Sequence, residues 1–292
     1  GPIVRYHDVA TQIVSRTHSA ELFKSGLIRF SVGLAKKVLI ADQMGEVADH
    51  VFALSSNQLT TGYAWLGITA YAFQIYYDFS GYSDMAIGLG RMIGFQFLEN
   101  FNFPYTAGTI TEFWRRWHIS LSNFMKEYLY IPLGGNRGST ARTYFNLWLV
   151  FLLSGLWHGA AWNFVVWGAY HGTFLILDRL FWARVAAALP RPLSVLITFI
   201  IVLGGWVFFR AETLAQALEF FAVMLGISSP GEALLIPQAE IIHNRAVIIY
   251  FGASLCLLLG AFLSSEQITT FLGSLRKRSS WKLAEGAFSI VA

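Results

Sequence analysis

The stretch TYFNLWLVFLLSGLWHGAAWNFVVWGAYHG, residues 143–172, decides the fold. It joins two apolar runs, 143–158 and 161–181, through a short turn beside His158. Each run is close to the about 17–25 residues that a helix needs to cross roughly 30 Å of hydrocarbon. The sequence therefore predicts a hairpin of two membrane helices with an imidazole near its turn.

The composition of the whole chain indicates the same environment. Hydrophobic residues make up 55% of the 292 residues and charged residues only 13%, whereas charged residues are about a quarter of an ordinary soluble domain. The mean hydropathy is +0.51. These values predict an integral membrane protein. Because no repeat or linker is visible, we expect a single domain over residues 1–292, an all-α, polytopic helical bundle. Further spans are predicted at 62–81, 193–209 and 245–264.

Three other segments do not fit a straight span. Residues 20–41 carry four basic side chains, which favours a helix lying along the membrane interface. Residues 84–97 are too short to cross and contain Arg91, so a re-entrant segment shielded from lipid by protein is predicted. Residues 213–226 are predicted to form a short amphipathic helix.

The distribution of basic residues predicts an orientation and argues against a nucleic-acid partner. Five lie in 115–142, three in 179–191 and four in 276–282, a bias typical of cytoplasmic loops. They do not form a basic stripe with interleaved aromatic residues, as nucleic-acid binding would need. Cys256 is the single cysteine, so a disulfide or a cysteine metal site within one chain is excluded.

The ends of the sequence suggest a fragment. Gly1 stands where an initiator Met would be, and no signal peptide follows it. We therefore expect helices missing on the N-terminal side, and leave open whether further chain follows Ala292.

Two interpretations of His158 compete. Gly155 and Gly159 form a pair of small residues four apart, which permits close helix packing around a histidine that binds a neighbouring carbonyl. Ionisable groups at membrane depth are costly, however, and they usually face a cavity. The second consideration favours a functional histidine.

A second polar cluster lies in TEFWRRWHISLSNFMKEYLYIPLGGNRG, residues 111–138. Helical periodicity places Trp114 and other apolar residues on one face, Ser120 with the polar residues on the opposite face, and His118 and Arg115 along the border. An imidazole there could reach buried space, and the guanidinium of Arg115 could bind an anion. The alternative is an interfacial helix whose arginines meet lipid headgroups.

A third cluster is YYDFSGYSD, residues 76–84. Asp78 and Asp84 predict a polar break at a helix end that lines a water-filled cavity, with Asp78 as a candidate substrate contact. A helix-ending turn with hydrogen-bonded aspartates is the alternative. Carboxylates without clustered histidines or cysteines make poor metal ligands, so no metal site is predicted. His171 and Asp178 are predicted to form a structural pair.

Several motifs together closely resemble the membrane-bound O-acyltransferase family, in its bacterial alginate O-acetyltransferase branch. The resemblance implies a multi-helix membrane fold with a tunnel, an acyl thioester donor approached from the cytoplasm, and a polysaccharide modified on the other side. The invariant histidine of the family matches His158, and its second, frequently essential histidine matches His118. The motifs are YYDFSGYSDMAIGLGRMIGF, ENFNFPYT, EFWRRWHISLSNFMKEYLYIPLGGNRG, SGLWHGAAWNFVVWGAYHG and GWVFFRAE.

The resemblance also suggests roles for individual residues. A neutral imidazole can accept the proton of a sugar hydroxyl, so His158 is the expected general base. His118 would orient or polarise the donor, and Arg115 would contact donor phosphates. Trp157, Asn163 or backbone amides could stabilise the oxyanion.

The expected partners and alternatives follow from the same resemblance. The donor would be acetyl-CoA or an acyl carrier, with no bound cofactor. The acceptor would be a polysaccharide, and periplasmic or extracellular acetylation proteins would be partners of a multi-pass protein in the bacterial inner membrane. A D-alanyl transferase acting on teichoic acid is the alternative enzyme. A transporter or a non-catalytic scaffold of an export complex is the alternative without chemistry.

Overall fold

The computed structural model describes residues 1–55, 57–228, 245–250, 252 and 254. All regular secondary structure in these residues is helical, which confirms the predicted all-α class. The helices bounded within this part of the chain are α1 (Tyr6–Val14), α2 (Ala20–Ala35), α3 (Asp42–Phe52), α4 (Thr61–Met92), α5 (Ile110–Arg116), α6 (Ile119–Met125), α7 (Thr140–His158), α8 (Trp162–Leu177), α9 (Ala183–Ala188), α10 (Arg191–Arg210) and α11 (Leu214–Met224).

Helix α4 contains 32 residues and would be about 48 Å long at 1.5 Å per residue. Thr60 caps its start, because the hydroxyl of Thr60 accepts a hydrogen bond from the Tyr63 amide at 3.2 Å. The predicted break at 76–84 and the separate re-entrant segment at 84–97 are wrong, because α4 continues without interruption to Met92. Asp84 and Asp78 pair with Lys36 and Lys37, which lie between α2 and α3, and they do not end the helix.

Glycines bring α2 against α4. A Cβ atom on Gly26 would lie 2.6 Å from the carbonyl oxygen of Gly88, and one on Gly33 would lie 2.5 Å from that of Gly81. Only glycine fits at such a backbone-to-backbone approach. Three of the four basic residues of segment 20–41, Arg29, Lys36 and Lys37, pair with aspartates of α4. The predicted position of this segment along the membrane interface stays a prediction.

Helices α7 and α8 form the predicted hairpin. Gly155 of α7 faces the backbone of Phe164, and Gly168 of α8 faces the backbone of Phe151. These glycines thus allow the two helices of the hairpin to pack closely against each other. Helix α7 ends at His158, so the imidazole lies where the chain turns back.

The continuous helix that periodicity predicts within residues 111–138 is broken at Trp117 and His118. Helices α5 and α6 are separated by Trp117 and by His118, whose φ of 45° and ψ of 54° are left-handed. Because the break rotates α6 relative to α5, the face assigned to Ser120 was wrong. Ser120 is buried, with 6% of its surface exposed.

An aromatic core fills the space between α4, α5 and α10. The rings of Trp117 and Trp206 lie with their centroids 4.9 Å apart. Tyr105, in the loop before α5, donates its hydroxyl to the carbonyl of Ala72 at 2.7 Å and accepts from Trp206 Nε1 at 3.1 Å. This hydroxyl ties the loop between α4 and α5 to both α4 and α10.

Four of the predicted spans correspond to α4, α7, α8 and α10, and the predicted amphipathic helix at 213–226 corresponds to α11. Among the described residues, Arg191–Arg210 is the helix whose length and mean hydropathy of 2.3 suffice to cross a membrane. The predicted span 245–264 lies mostly outside the described residues, as does the basic segment 276–282.

Candidate active site

His158 is the last residue of α7, and aromatic rings surround it. Its imidazole makes edge-on contacts with the rings of Trp157, Trp167 and Phe209, at centroid distances of 4.9, 5.2 and 5.1 Å. Trp167 comes from α8 and Phe209 from the end of α10. The hairpin and α10 therefore fix the ring of His158 together.

His118 comes from the break between α5 and α6 and is 6% exposed. The ring of Phe79 packs edge-on against it at a centroid distance of 4.6 Å. Nδ1 of His118 lies 3.2 Å from Oδ1 of Asn100. Burial, with a smaller contribution from the nearby His158, lowers the pKa of His118 to about 3. The imidazole is therefore neutral near pH 7.

The two predicted histidines line one small cavity, of about 50 Å³. Liquid water occupies about 30 Å³ per molecule, so the cavity has room for a group of only a few heavy atoms. The other lining residues are mostly aromatic or aliphatic, and Ser154 adds a hydroxyl. They are Ile75, Phe79, Trp114, Trp117, Leu121, Ser154, Trp167, Trp206 and Phe209.

A second cavity, of about 680 Å³, has a mixed lining that includes charged residues of α2, of the segment after α2, of α4 and of the loop after α4. Asp84 accepts from Arg29 Nε at 2.7 Å and pairs with Lys36 at 3.0 Å. Arg29 also pairs with Glu99 at 2.6 Å. Asn100 lines this cavity and contacts His118 at the same time, so it stands between the charged cavity and the histidine cavity.

The other four predicted site residues do not line the histidine cavity. Arg115 is exposed. Trp157 packs against His158 but is 58% exposed and lines a separate apolar cavity. The amide of Asn163 donates to the carbonyls at the end of α10, at 2.7 and 3.2 Å. Asp78 pairs with a lysine of the preceding segment at 2.9 Å.

The structural pair predicted between His171 and Asp178 does not form. His171 is fully buried, and the rings of Trp114 and Trp167 pack edge-on against it. Asp178 instead accepts a hydrogen bond from the amide of Thr111 at 2.6 Å. Seven residues correspond to about 10.5 Å along a helix, which is too far for a direct contact.

Sequence reasoning missed several polar groups around the cavity. Asn100 lies in the quoted stretch ENFNFPYT, but its contact with His118 leaves no local signal. The indole nitrogens of Trp114 and Trp167 are buried and have no hydrogen-bond partner within the described part of the chain. In the same residues, no three His, Cys, Asp or Glu side chains are grouped as metal ligands.

The described helices bring two histidines to one mostly apolar cavity, and sequence comparison identifies the class of protein. Residues 1–214 match the MBOAT, membrane-bound O-acyltransferase family, and the chain belongs to this family. It is thus a membrane-bound protein.

Three named relatives indicate which members of the family the chain resembles. The chain is 56% identical over 224 residues to the probable alginate O-acetylase AlgI of Azotobacter vinelandii, a match that covers 77% of this chain and 44% of the relative. It is 43% identical over 251 residues to the peptidoglycan O-acetyltransferase of Helicobacter pylori, covering 84% and 47%. It is 26% identical over 230 residues to the teichoic acid D-alanyltransferase of Bacillus subtilis, covering 73% and 58%. The chain spans about half the length of these relatives.

Proposed function

We propose that the whole protein is an O-acetyltransferase that moves an acetyl group from a thioester donor to a hydroxyl of a polysaccharide. The observation that carries this proposal is the position of His118 and His158 on one cavity. Two relatives at 56% and 43% identity, named as O-acetylating enzymes of alginate and of peptidoglycan, favour a carbohydrate acceptor.

In the proposed reaction, a sugar hydroxyl oxygen attacks the thioester carbonyl carbon while His158 accepts the hydroxyl proton. An alcohol is a weak nucleophile until its proton is accepted, which makes a neutral imidazole the suitable base. The C–S bond then breaks, and the imidazolium returns the proton to the departing thiolate. His118, on the same cavity, orients the reacting groups.

The carbonyl oxygen becomes negatively charged in this step and needs hydrogen-bond donors. The amide hydrogens of Asn163 are already donated to α10. Trp114 and Trp167 line the cavity, and their indole N–H groups have no partner in the part of the chain described. We assign these two indoles, in place of Asn163, as the oxyanion donors of the proposal.

The proposal includes the setting of the reaction. The protein would be a multi-pass protein of the bacterial inner membrane. Acetyl-CoA or an acyl carrier would deliver the thioester from the cytoplasm, and an exported polysaccharide would accept the group. Periplasmic or extracellular acetylation proteins would act with it. These expectations rest on the family resemblance, and Arg115 remains the proposed contact for donor phosphates although it lies away from the cavity.

The test is an assay of the whole purified protein with radiolabelled acetyl-CoA and, separately, acetyl-carrier protein. Alginate, peptidoglycan fragments and lipoteichoic acid serve as acceptors. We expect label in a glycan, and loss of that label in the His158→Gln variant. Transfer of D-alanine from its carrier to teichoic acid, without acetyl transfer, would replace the proposal by the alternative enzyme. Absence of any transfer by a folded protein would refute it.

A further inference from the structure

Asn100, in the loop after α4, makes several hydrogen bonds to the break between α5 and α6. Its side chain is 1% exposed. Oδ1 accepts from the amide of Ser120 at 3.1 Å and from the hydroxyl of Ser120 at 2.8 Å, and it lies 3.2 Å from Nδ1 of His118. Nδ2 donates to the hydroxyl of Ser83 on α4 at 3.0 Å. The amide of Asn100 is thus satisfied on both ends.

The amide of Ser120 determines which end of the Asn100 side chain faces His118. A backbone N–H can only donate, so the Asn100 atom beside it must be the carbonyl oxygen. Nδ1 of His118 faces that same oxygen at 3.2 Å and the hydroxyl oxygen of Ser120 at 3.4 Å. The hydroxyl of Ser120 already donates its proton to Oδ1 at 2.8 Å, so it does not donate to Nδ1. Two acceptors would repel each other, so Nδ1 carries the proton, and in the neutral ring Nε2 then holds a lone pair.

The backbone of Asn100 supports the same geometry. Its carbonyl accepts from the amide of Ile119 at 2.9 Å. Asn100 therefore contacts three consecutive residues, His118, Ile119 and Ser120. The first of them, His118, has a left-handed backbone conformation. A non-glycine residue persists in that conformation only where its surroundings hold it. The asparagine provides that support.

Nε2 of His118 has no hydrogen-bond partner in the described structure, whereas His118 lines the cavity. A lone pair at Nε2 accepts a hydrogen bond from a substrate O–H or N–H group. It cannot donate to a thioester carbonyl. The orienting role of His118 is then compatible with this tautomer, and the polarising role is not.

We propose that Asn100 is a positioning residue that holds His118 as the Nδ1–H tautomer, so that Nε2 acts as a hydrogen-bond acceptor for the substrate. The inference rests on the proposed acyl transfer for its functional meaning. The tautomer itself is measurable without any activity, which separates failure of this inference from failure of the proposed function.

The first test is ¹⁵N NMR of the whole protein with labelled histidine, with the signals of His118 assigned by comparison with His118→Gln. We expect a protonated Nδ1 and an unprotonated Nε2 in the wild type and in Asn100→Asp, whose carboxylate still accepts from Nδ1. In Asn100→Leu we expect loss of this single tautomer. A wild-type spectrum with the proton on Nε2 would overturn the proposal, even where the leucine variant does not fold.

The second test is kinetic. Asn100→Leu should lower kcat at least about tenfold with little change in KM, because substrate still binds but is misoriented. Asn100→Asp should recover part of kcat and move the acidic limb of the kcat profile to higher pH, because a carboxylate stabilises the imidazolium. An unshifted acidic limb in Asn100→Asp, or wild-type kcat in Asn100→Leu, contradicts the positioning role.

Asn146→Leu is the matched control. Asn146 is also fully buried, and its amide donates to the carbonyls of Leu133 and Gly135 at 3.1 and 3.3 Å, without contact to either cavity histidine. Its variant should lose thermal stability and keep the wild-type pH profile and the His118 spectrum. A change of the His118 tautomer in this control would show that any buried asparagine has the effect and would overturn the assignment to Asn100.

Discussion

His118 and His158 line the same cavity from two kinds of helix end: His118 directly precedes α6, and His158 is the last residue of α7. At such ends the backbone leaves the helix, so a side chain can enter the space between packed helices. The apolar rings around both imidazoles leave few polar neighbours. In the proposed reaction, His158 therefore carries out the proton transfer and His118 orients the reacting groups.

His158→Gln should fold normally and lose turnover. Glutamine can supply a hydrogen bond but cannot accept a proton at neutral pH, so we expect a decrease of about 10² to 10⁴ in kcat, the range of general acid–base catalysis. The measurement is acetyl transfer together with the melting temperature. A variant with wild-type turnover would remove His158 from the mechanism, and one with only a lowered melting temperature would assign it to packing.

Gly168→Ala should destabilise the hairpin. An added methyl group would meet the backbone of Phe151 and Leu152 on α7, and overpacking of this kind costs about 1–3 kcal/mol. The expected result is a lower melting temperature in detergent. Gly62→Ala is the control, because the nearest atom to its added Cβ lies at 3.9 Å. Equal losses at both glycines would indicate that helix contact is not the cause.

The hairpin was predictable because its signals are local. Apolar run length set its two helices, and small residues such as Gly155 marked a close approach. The break at His118 was not predictable in this way. It depends on Asn100, which is eighteen residues earlier in the chain, and periodicity within 111–138 carries no information about a distant hydrogen bond.

The polar residues of α4 also show that local sequence signals do not predict distant contacts. Charged groups in an apolar helix predicted a break, because an unpaired carboxylate at membrane depth is costly. Asp84 is instead paired with Arg29, which is 55 residues earlier, and with Lys36. Composition identified the charges as exceptional, but only the packing of α2 on α4 shows that they satisfy one another.

Trp167→Phe tests the proposed oxyanion donors. The substitution keeps an aromatic ring and removes the indole N–H, and loss of one such donor costs about 10²–10³ in kcat. Acetyl transfer at saturating donor is the measurement. Trp65→Phe is the matched control, since its indole donates to the carbonyl of Met224 at 3.0 Å, away from the cavity. Unchanged kcat in Trp167→Phe would exclude that indole as a donor to the oxyanion.

The pH dependence of stability tests the burial of His118. Because its pKa is lowered from 6.5 to about 3, the unfolded chain binds a proton at this side chain that the folded protein resists. Its contribution to stability is full above pH 6.5 and decreases as the pH falls from 6.5 towards 3. Replacement by glutamine removes this titration. His118→Gln should therefore show a smaller decrease in melting temperature than the wild type between pH 7 and pH 4. If the His118→Gln curve runs parallel to the wild type over this range, His118 titrates alike in both states and is not held neutral by burial.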